Sequence, residues 1–314
     1  MAESIEPIHD GEPDVGASVV RALLHSECPQ WAEARLTYLS TSGTDHAMWR
    51  VSVPRSADVV VRMPRRARAA ARVAYEARVL EAVAASPVAR QVATPTVRHL
   101  GNPHEYFPHQ WLVLDWLDGS DAWAARATLD HRALASLAVD LAGVVGAIGA
   151  LDSGWARPRQ AGSRGGPLLP LLAGLDEWLT GPEWNAAGLI DVAAVRRLMD
   201  EAREVVGEPV AEGFVHGDLI PGNLLLSGSR LTSVIDWGGA GHGDLAQDLA
   251  PAWSVLGAGE RSLFRAHLEV DDASWIRGRT FELEHAVAAI LYYVPKRHPL
   301  GDVMLRTLHQ ILAG

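Results

Sequence analysis

A short non-helical segment in the second half of the chain constrains the fold more than any other part of the sequence. It reads FVHGDLIPGNLLL from Phe214 to Leu226, and VIDW follows, so that Asp236 lies eighteen residues after Asp218. Asp218, Asn223 and Asp236 are each bracketed by apolar residues. Because runs of apolar residues are buried in folded chains, this pattern indicates a buried and fixed backbone.

The three polar residues of this segment suit phosphoryl transfer. A carboxylate and a carboxamide five residues apart on one loop can face the same cleft. The apolar runs 224–226 and 231–235 around a Ser-Gly turn predict a hairpin, whose end can bring a second carboxylate to the same place. Mg²⁺ prefers oxygen ligands and keeps substrate phosphates as partners, which fits Asn223 and Asp236 as ligands. Asp218 is then left to meet a substrate hydroxyl.

The first 118 residues predict a small α+β lobe. After a polar, flexible tail at 1–14, helical spacing of apolar residues predicts a helix over 15–26. Alternating and apolar runs then predict a sheet built from an antiparallel meander and two later strands, with one helix between them. The predicted strands are 35–42, 46–53, 58–63, 96–100 and 110–114, and the predicted helix is 65–84.

Residues 119–314 predict a larger, mainly helical lobe. The helical candidates are 130–151, 168–179, 192–206, 246–256, 261–268, 273–294 and 301–312. Between the first two lies a loop over 153–167 that is rich in Gly, Pro and Arg. Its sequence is compatible with a solvated connector and with a lid on the substrate side.

These motifs resemble the aminoglycoside phosphotransferase family, which has a two-lobed, protein-kinase-like fold. His216-Gly217-Asp218 with Asn223 resembles the catalytic loop of that family, and Ile235-Asp236-Trp237 resembles its metal-binding turn. The segment from Gly243-Asp244 to Asp248-Leu249-Ala250 resembles the one that follows the metal-binding turn. The resemblance implies that Asp218 accepts the proton of the acceptor hydroxyl and that Asp248 accepts hydrogen bonds from the catalytic-loop backbone. For His216 it leaves two interpretations open, a structural role in the loop or a direct influence on catalysis.

The resemblance extends upstream and implies a nucleotide site in the first lobe. Many family members have lysine on the third strand, where this chain has Arg62, which keeps the positive charge and adds a planar, bidentate fork. Glu76 on the next helix is its expected ion-pair partner. The loop over the phosphates corresponds to Ser42, Gly43 and Thr44, and the hinge that would hold the purine corresponds to Asp115, Trp116 and Leu117.

The function implied is transfer of the γ-phosphoryl of ATP or GTP, with Mg²⁺, to a hydroxyl of an antibiotic of the aminoglycoside, macrolide or nucleoside type, giving resistance. A metabolic kinase of an amino alcohol or a sugar is the alternative within enzymes. A non-catalytic pseudokinase that binds a nucleotide is the alternative of another class. The motifs name neither the acceptor nor the choice between ATP and GTP.

Charge and composition argue against several other classes. The chain has 28 basic and 38 acidic residues, a formal net charge of -10, which disfavours nucleic acid and anionic membranes as partners. It has one cysteine and an acidic, polar start, so we expect a cytoplasmic protein rather than a secreted, disulfide-bonded one. The sequence contains neither an H-E-x-x-H zinc motif nor a G-x-S-x-G elbow.

The acidity is concentrated in the larger lobe. Residues 1–118 carry a net charge of -2 and residues 119–314 a net charge of -8. Acidic side chains at the acceptor site would attract cationic acceptors, whereas on solvated helix faces they would only maintain solubility. The residues considered for the acceptor site are Asp176, Glu177, Glu183, Asp271, Asp272, Glu282 and Glu284.

Overall fold

A computed structural model describes residues 5, 7, 10–39, 45–181, 184 and 188–314. The chain divides into two compact units. The first consists of residues 1–89 and 93–118, and the second of residues 90–92 and 119–314. The antiparallel sheet of the first unit and the many helices of the second confirm the predicted α+β fold class.

The first unit is built on a five-stranded antiparallel sheet with the order β1-β2-β3-β5-β4. Its strands are β1 (Arg35–Tyr38), β2 (His46–Ser52), β3 (Val59–Pro64), β4 (Val97–Gly101) and β5 (Trp111–Asp115). Side chains of β2 alternate between buried and half-buried, as expected for a strand with one face on the core. All six residues of β3 are buried, which places Arg62 in the interior of the unit.

Among its described residues the first unit also has three α-helices. They are α1 (Ala17–Glu27), α2 (Ala67–Ala70) and α3 (Val73–Ala84). The buried face of α1 joins Trp49 and Trp111 of the sheet in one hydrophobic core. Predicting a single helix over 65–84 was wrong, because the helix is interrupted at Ala71 and Arg72.

Glu12, which the sequence places in a flexible tail, is fixed by contacts in the structure. The tail was expected to extend to residue 14, but the Glu12 carboxylate is buried and forms a 2.7 Å ion pair with Arg65. The Arg65 guanidinium also donates to the Tyr38 hydroxyl at 2.6 Å. Since a charge is buried at low cost only when it is paired and hydrogen-bonded, these contacts fix Glu12 in the unit.

The second unit is mainly helical. Its helices are α4 (Ala122–Ala125), α5 (His131–Gly149), α6 (Leu168–Thr180), α7 (Val192–Glu204), α8 (Pro251–Ser254), α9 (Ala258–Leu268), α10 (Asp272–Tyr293) and α11 (Pro299–Leu312). Aspartates cap several of them, for example Asp130 before α5 and Asp271 before α10, each accepting a backbone N–H of the first turn. In the described part of the chain α5 is the one helix that is long and apolar enough to cross a membrane.

Two small sheets position the segment of the second unit that contains Asp218. One has the order β6-β8-β9, formed by β6 (Ser120–Asp121), β8 (Leu224–Ser227) and β9 (Arg230–Val234). The other pairs β7 (Glu212–Val215) with β10 (Gly241–Asp244), and neither strand was predicted from the sequence. The predicted hairpin is present as β8 and β9, and it connects Asn223 to the turn that contains Asp236.

The prediction of one helix over 246–256 was wrong. Residues Leu245–Leu249 form a 3₁₀ helix, and only Pro251–Ser254 are α-helical. Pro251 has no backbone N–H, so it cannot donate the hydrogen bond that would continue a helix into this turn. From this 3₁₀ helix the side chains of Gln247 and Asp248 form hydrogen bonds with the backbone at residues 216 and 217, directly before Asp218.

Candidate active site

The loop between β7 and β8 has a backbone that the local sequence dictates. Gly217 has a φ of 81°, in the left-handed region that glycine tolerates best. A Cβ at this position would also overlap the Arg159 guanidinium and the carbonyl oxygen of Gly239. Glycine is therefore required immediately before Asp218, and the turn it forms presents the Asp218 side chain at the surface of a small cavity.

The Asp248 side chain fixes the backbone of this loop through hydrogen bonds. Its two carboxylate oxygens accept the backbone N–H groups of His216 at 2.6 Å and of Gly217 at 2.8 Å. Gln247 adds a 2.8 Å bond from its side-chain amide to the Gly217 carbonyl. Burial raises the pKa of the Asp248 carboxyl, while the two N–H donors act in the opposite direction. These contacts agree with the backbone-holding role that the resemblance implied for Asp248.

His216 lies inside the loop rather than at its surface. It is completely buried, and burial lowers its pKa, so the imidazole is neutral near neutral pH. Its Nδ1 accepts the backbone N–H of Asp218 at 3.2 Å, and its Nε2 lies 3.1 Å from the carbonyl oxygen of Ile235. This pair of contacts assigns the proton to Nε2 and makes His216 a brace between the catalytic loop and the turn of Asp236.

Asn223 and Asp236 approach each other through the hairpin. The carbonyl of Asn223 accepts the backbone N–H of Ile235 at 3.0 Å, which places Asp236 one residue beyond a direct backbone contact. Asp236 adopts a left-handed backbone with a φ of 62°. A non-glycine residue in this region is uncommon, and such residues concentrate at functional sites. The turn after β9 is thus shaped around Asp236.

The donor chemistry of this pair fits a magnesium ion. The Asn223 side-chain nitrogen donates to Asp218, to the backbone carbonyl at 2.8 Å and to Oδ2 at 3.1 Å, which directs the amide oxygen elsewhere. An amide oxygen and a carboxylate are hard oxygen donors, and Mg²⁺ is commonly held by one or two such groups together with phosphates. Among the described residues no group of three or more His, Cys, Asp or Glu could hold a metal by itself.

A second group of ionisable side chains lies near Asp218, and the sequence did not predict its arrangement. Arg164 lies 4.0 Å from the Asp218 carboxylate and 3.7 Å from that of Glu284. Glu282 is buried, and burial raises its pKa to about 8. Burial lowers the pKa of His285 to about 3. Glu282 and His285 are therefore both largely uncharged at pH 7.

Asp218 remains partly open to solvent within this group. Its side chain is 31% exposed and lines a small cavity together with Arg164, Glu282 and His285. Burial raises the pKa of the Asp218 carboxyl, and the positive charge of Arg164 opposes that rise. A partly buried carboxylate that a substrate can still reach, and whose pKa is raised, is suited to accept a proton from a hydroxyl.

The acidic residues considered for the acceptor site do not form one surface. Asp176 pairs with Arg196, and Asp272 pairs with Arg265. Asp272 lies ten residues before Glu282 on α10, about 15 Å away at the rise of an α-helix, and Asp271 caps the helix one residue earlier. Glu282 lines the cavity beside Asp218, Glu284 lies 3.7 Å from Arg164 of the same cavity, and Glu183 lies outside the described residues.

The loop over 153–167 is a structured part of this site. Its backbone pairs with β10, where the N–H of Arg159 donates to the carbonyl of His242 and the N–H of His242 donates to Arg157, both at 2.8 Å. The N–H of Asp244 donates to the Gly165 carbonyl at the same distance. The Arg159 side chain donates to the Gly239 carbonyl at 2.5 Å. These contacts exclude a freely solvated connector.

Behind the loop, a buried ion pair fixes β10 to α10. The Arg277 Nε donates to the Asp244 carboxylate at 2.7 Å, and both side chains are at least 95% buried. Asp244 also accepts the backbone N–H of Ala246, so it caps the turn that carries Gln247 and Asp248. Asp244 matched a family motif, but Arg277, thirty-three residues later, had no local signal.

In the first unit, Arg62 and Glu76 form the expected ion pair. The Arg62 Nη1 lies 3.4 Å from the Glu76 Oε1, and the two side chains are 7% and 2% exposed. A second nitrogen of Arg62 lies 3.3 Å from His46 Nδ1. Because one partner alone would leave an uncompensated buried charge, each residue holds the other in place.

The predicted hinge residues are only partly available to a ligand. The Asp115 backbone N–H donates to Thr96, and that of Trp116 donates to Asp58, both at 3.1 Å. The Asp115 carboxylate pairs with Arg98. Neither of these two hydrogen bonds involves the backbone N–H of Leu117, the third predicted hinge residue. The predicted phosphate loop, Ser42, Gly43 and Thr44, lies outside the described residues.

Comparisons with known proteins identify the family and the fold of the chain. A family model described as the phosphotransferase enzyme family matches residues 39–283, which is most of the chain. No curated protein matches the sequence.

Solved structures of similar fold include antibiotic phosphotransferases. APH(2")-IIia with GDP and kanamycin has 18% identity and a TM-score of 0.71, covering 94% of this chain and 98% of that one. The GDP complex of wild-type aminoglycoside 2'-phosphotransferase-IIIa has 18% identity and a TM-score of 0.69, with coverages of 94% and 97%. The macrolide 2'-phosphotransferase MphH from Brachybacterium faecium has 18% identity and a TM-score of 0.62, with coverages of 91% and 97%. At these identities the likeness establishes the kinase-like fold.

Proposed function

This chain belongs to the phosphotransferase enzyme family, as the resemblance of its motifs predicted, and we propose that it transfers the γ-phosphoryl group of ATP or GTP to a hydroxyl of a small molecule. The observation that carries the proposal is the Asp218–Asn223 contact beside Asp236, held by His216 and Asp248. A nucleotide-binding role for residues 1–118 and an acceptor-binding role for residues 119–314 belong to the same proposal.

In this proposal Asp218 orients the acceptor hydroxyl and accepts its proton. Its carboxylate is exposed enough to meet a substrate, and the Asn223 side chain fixes its direction. Catalysis then comes mainly from positioning and from stabilisation of charge, as in other phosphoryl transfers. His216 and Asp248 act as positioning residues that keep the loop in this conformation.

Mg²⁺ is the cofactor we propose, held by Asn223 and Asp236. The cation would neutralise charge on the donor phosphates when it is bound. In the first unit Arg62, held by Glu76, would supply the positive charge that family members obtain from lysine. The phosphate loop at Ser42, Gly43 and Thr44 and the hinge around Leu117 complete the proposed nucleotide contacts.

For the acceptor we propose an antibiotic, with resistance as the biological consequence and the cytoplasm as its place. Structures of similar fold come from enzymes whose names specify aminoglycosides or macrolides, one of them bound to kanamycin and another to hygromycin B. An amino alcohol or a sugar is the competing acceptor class.

The test is a phosphorylation screen read by mass spectrometry. Purified protein is incubated with Mg²⁺, with ATP or GTP, and with a panel of antibiotics, amino alcohols and sugars, and an Asp218→Ala variant serves as the matched control. We expect one acceptor class to gain a phosphoryl group with the parent and not with the variant. Binding of nucleotide without any transfer or hydrolysis would support the pseudokinase alternative instead.

A further inference from the structure

We propose that Arg164 is a catalytic residue that contacts the phosphoryl group as it is transferred beside Asp218. The inference rests on the proposed phosphotransferase function and adds a residue to its machinery. Arg164 belongs to the loop over 153–167, which matched no family motif.

The loop delivers Arg164 to a defined position. The residue directly after it, Gly165, accepts the backbone N–H of Asp244 at 2.8 Å. On the other side, Arg159 pairs with His242 of β10 and donates to the Gly239 carbonyl. The backbone on both sides of Arg164 is therefore tied to the same strand and turn that shape the catalytic loop. Because its backbone is fixed on both sides, the Arg164 side chain needs little reorganisation to contact a substrate.

The guanidinium of Arg164 is close to two carboxylates without a hydrogen bond to either. Its nitrogens lie 4.0 Å from Asp218 and 3.7 Å from Glu284, beyond hydrogen-bond distance, and the side chain is only 26% exposed. Arginine carries five N–H donors in a planar fork that matches phosphate oxygens in pairs. Arg164 thus keeps hydrogen-bonding capacity at the position where the transferred group must pass.

Arg164 is the cation that the cavity beside Asp218 offers to a phosphoryl ligand. Among the described residues that line the cavity, Arg164 is the only arginine or lysine. The loop from Phe214 to Leu226 contains no lysine or arginine. His285 is neutral and cannot supply positive charge. Since the transferred phosphoryl group is anionic with every acceptor, a cation fixed beside Asp218 serves the reaction regardless of which acceptor binds.

The atoms balance in an ordinary phosphoryl transfer. The acceptor oxygen forms a bond to the γ-phosphorus, the bond from that phosphorus to the β,γ-bridging oxygen breaks, and the hydroxyl proton goes to Asp218. Nucleoside diphosphate leaves with the bonding electron pair. Arg164 donates hydrogen bonds to the oxygens of the phosphoryl group during its transfer and neither gains nor loses a proton.

The experiment compares the parent with Arg164→Gln and Arg164→Lys. For each protein, kcat and KM are measured with the best acceptor of the screen, and hydrolysis of ATP or GTP by water is measured as a readout that needs no acceptor. We expect Arg164→Gln to lower kcat about 10²–10³-fold, the range for loss of one positioned donor. KM for the acceptor should change little, and Arg164→Lys, which keeps charge without the fork, should fall between the two.

Arg196→Gln is the matched control. Arg196 pairs with Asp176 on the surface of the same unit, with 43% of each side chain exposed. Its loss should leave kcat within about twofold of the parent, because exposed ion pairs contribute little. Circular dichroism and thermal melting establish whether each variant is folded. If Arg164→Gln does not fold, the comparison of Arg164→Lys with the parent decides the question.

The pH profile separates catalysis from a structural role. If Arg164 only keeps Asp218 ionised, the kcat of Arg164→Gln recovers to the parental plateau at high pH, which would overturn the inference. We expect the loss in kcat to persist across the plateau. Equal kcat for the two proteins overturns the inference while leaving the proposed function intact. A parent with neither transfer nor hydrolysis contradicts the proposed function, and the inference with it.

Discussion

Asn223 binds Asp218 through a single side-chain nitrogen that donates twice, to the backbone carbonyl at 2.8 Å and to the carboxylate at 3.1 Å. One amide therefore fixes both the loop conformation and the direction of the carboxylate. Because the nitrogen is committed to Asp218, the amide oxygen faces away from it. This contact is the basis of the proposed roles, in which Asp218 binds the acceptor hydroxyl while Asn223 and Asp236 bind the cation.

Removing the charge of Asp236 should reveal a metal ligand. We expect Asp236→Asn to raise the Mg²⁺ concentration needed for half-maximal activity and to weaken nucleotide binding only when Mg²⁺ is present. The measurement is an Mg²⁺ titration of activity, with calorimetric nucleotide binding with and without metal. Asp176→Asn, which removes an exposed carboxylate, is the control. A titration curve that overlays that of the parent would remove Asp236 from the metal site.

The buried Arg62–Glu76 pair should couple energetically. We expect Glu76→Gln to weaken nucleotide binding by releasing Arg62, and a double-mutant cycle with Arg62→Gln to give a coupling of about 0.5–3 kcal/mol. Nucleotide affinities of the parent, the two single variants and the double variant give that coupling. Additive effects would mean that Glu76 does not hold Arg62 for the nucleotide.

Asp248 should contribute to stability through the catalytic loop. Asp248→Asn replaces one of the two oxygens that accept the N–H groups of His216 and Gly217 with an N–H₂ group. A buried N–H without an acceptor costs about 1–3 kcal/mol, so we expect the free energy of unfolding in urea to fall by that amount. Activity should fall as well. Unchanged stability would show that the loop does not depend on this carboxylate.

Glu282 should make stability depend on pH. Its pKa is raised by burial to about 8 in the folded protein, against 4.5 for an ordinary glutamate. Between pH 4.5 and about pH 8, Glu282 is protonated in the folded protein and ionised in the unfolded chain. The free energy of unfolding therefore falls as the pH rises through this range. The slope from a single proton is about 1.4 kcal/mol per pH unit at most.

The variant that checks this is Glu282→Gln, which keeps the size of the side chain without the ionisation. We expect the variant to be the more stable protein at pH 8 and to lose stability less steeply between pH 5 and 8. Urea unfolding at several pH values measures both. Parallel curves for the two proteins would show that Glu282 does not titrate in this range.

The catalytic loop and the hairpin were predictable because their signals are local. Asp218, Asn223 and Asp236 lie within nineteen residues, and the apolar runs around them define β8 and β9. Asp248 was implied by a motif that matched a known family.

The rest of the site depends on contacts that no local pattern records. Arg164 reaches Asp218 from fifty-four residues away, through a loop whose Gly, Pro and Arg content is equally compatible with a solvated connector. Glu282 and His285 are three residues apart on α10, as polar residues on solvated helices often are, and only the packing shows that Glu282 is buried and His285 is largely covered. Pro251 is a local signal against one helix over 246–256, but the hydrogen bonds from Gln247 and Asp248 to the loop at residues 216 and 217 have no such signal.

The central claim is that Asp218 takes part in phosphoryl transfer, and one measurement tests it directly. ATP or GTP labelled at the γ-phosphate is incubated with Mg²⁺, the best acceptor and either the parent or Asp218→Ala, and label on the acceptor is followed over time. The account predicts that the parent transfers label, and that the variant binds nucleotide nearly as well but transfers about 10²–10⁴-fold more slowly, the range for a positioned acid or base. Transfer by the variant within a few-fold of the parent would contradict the account.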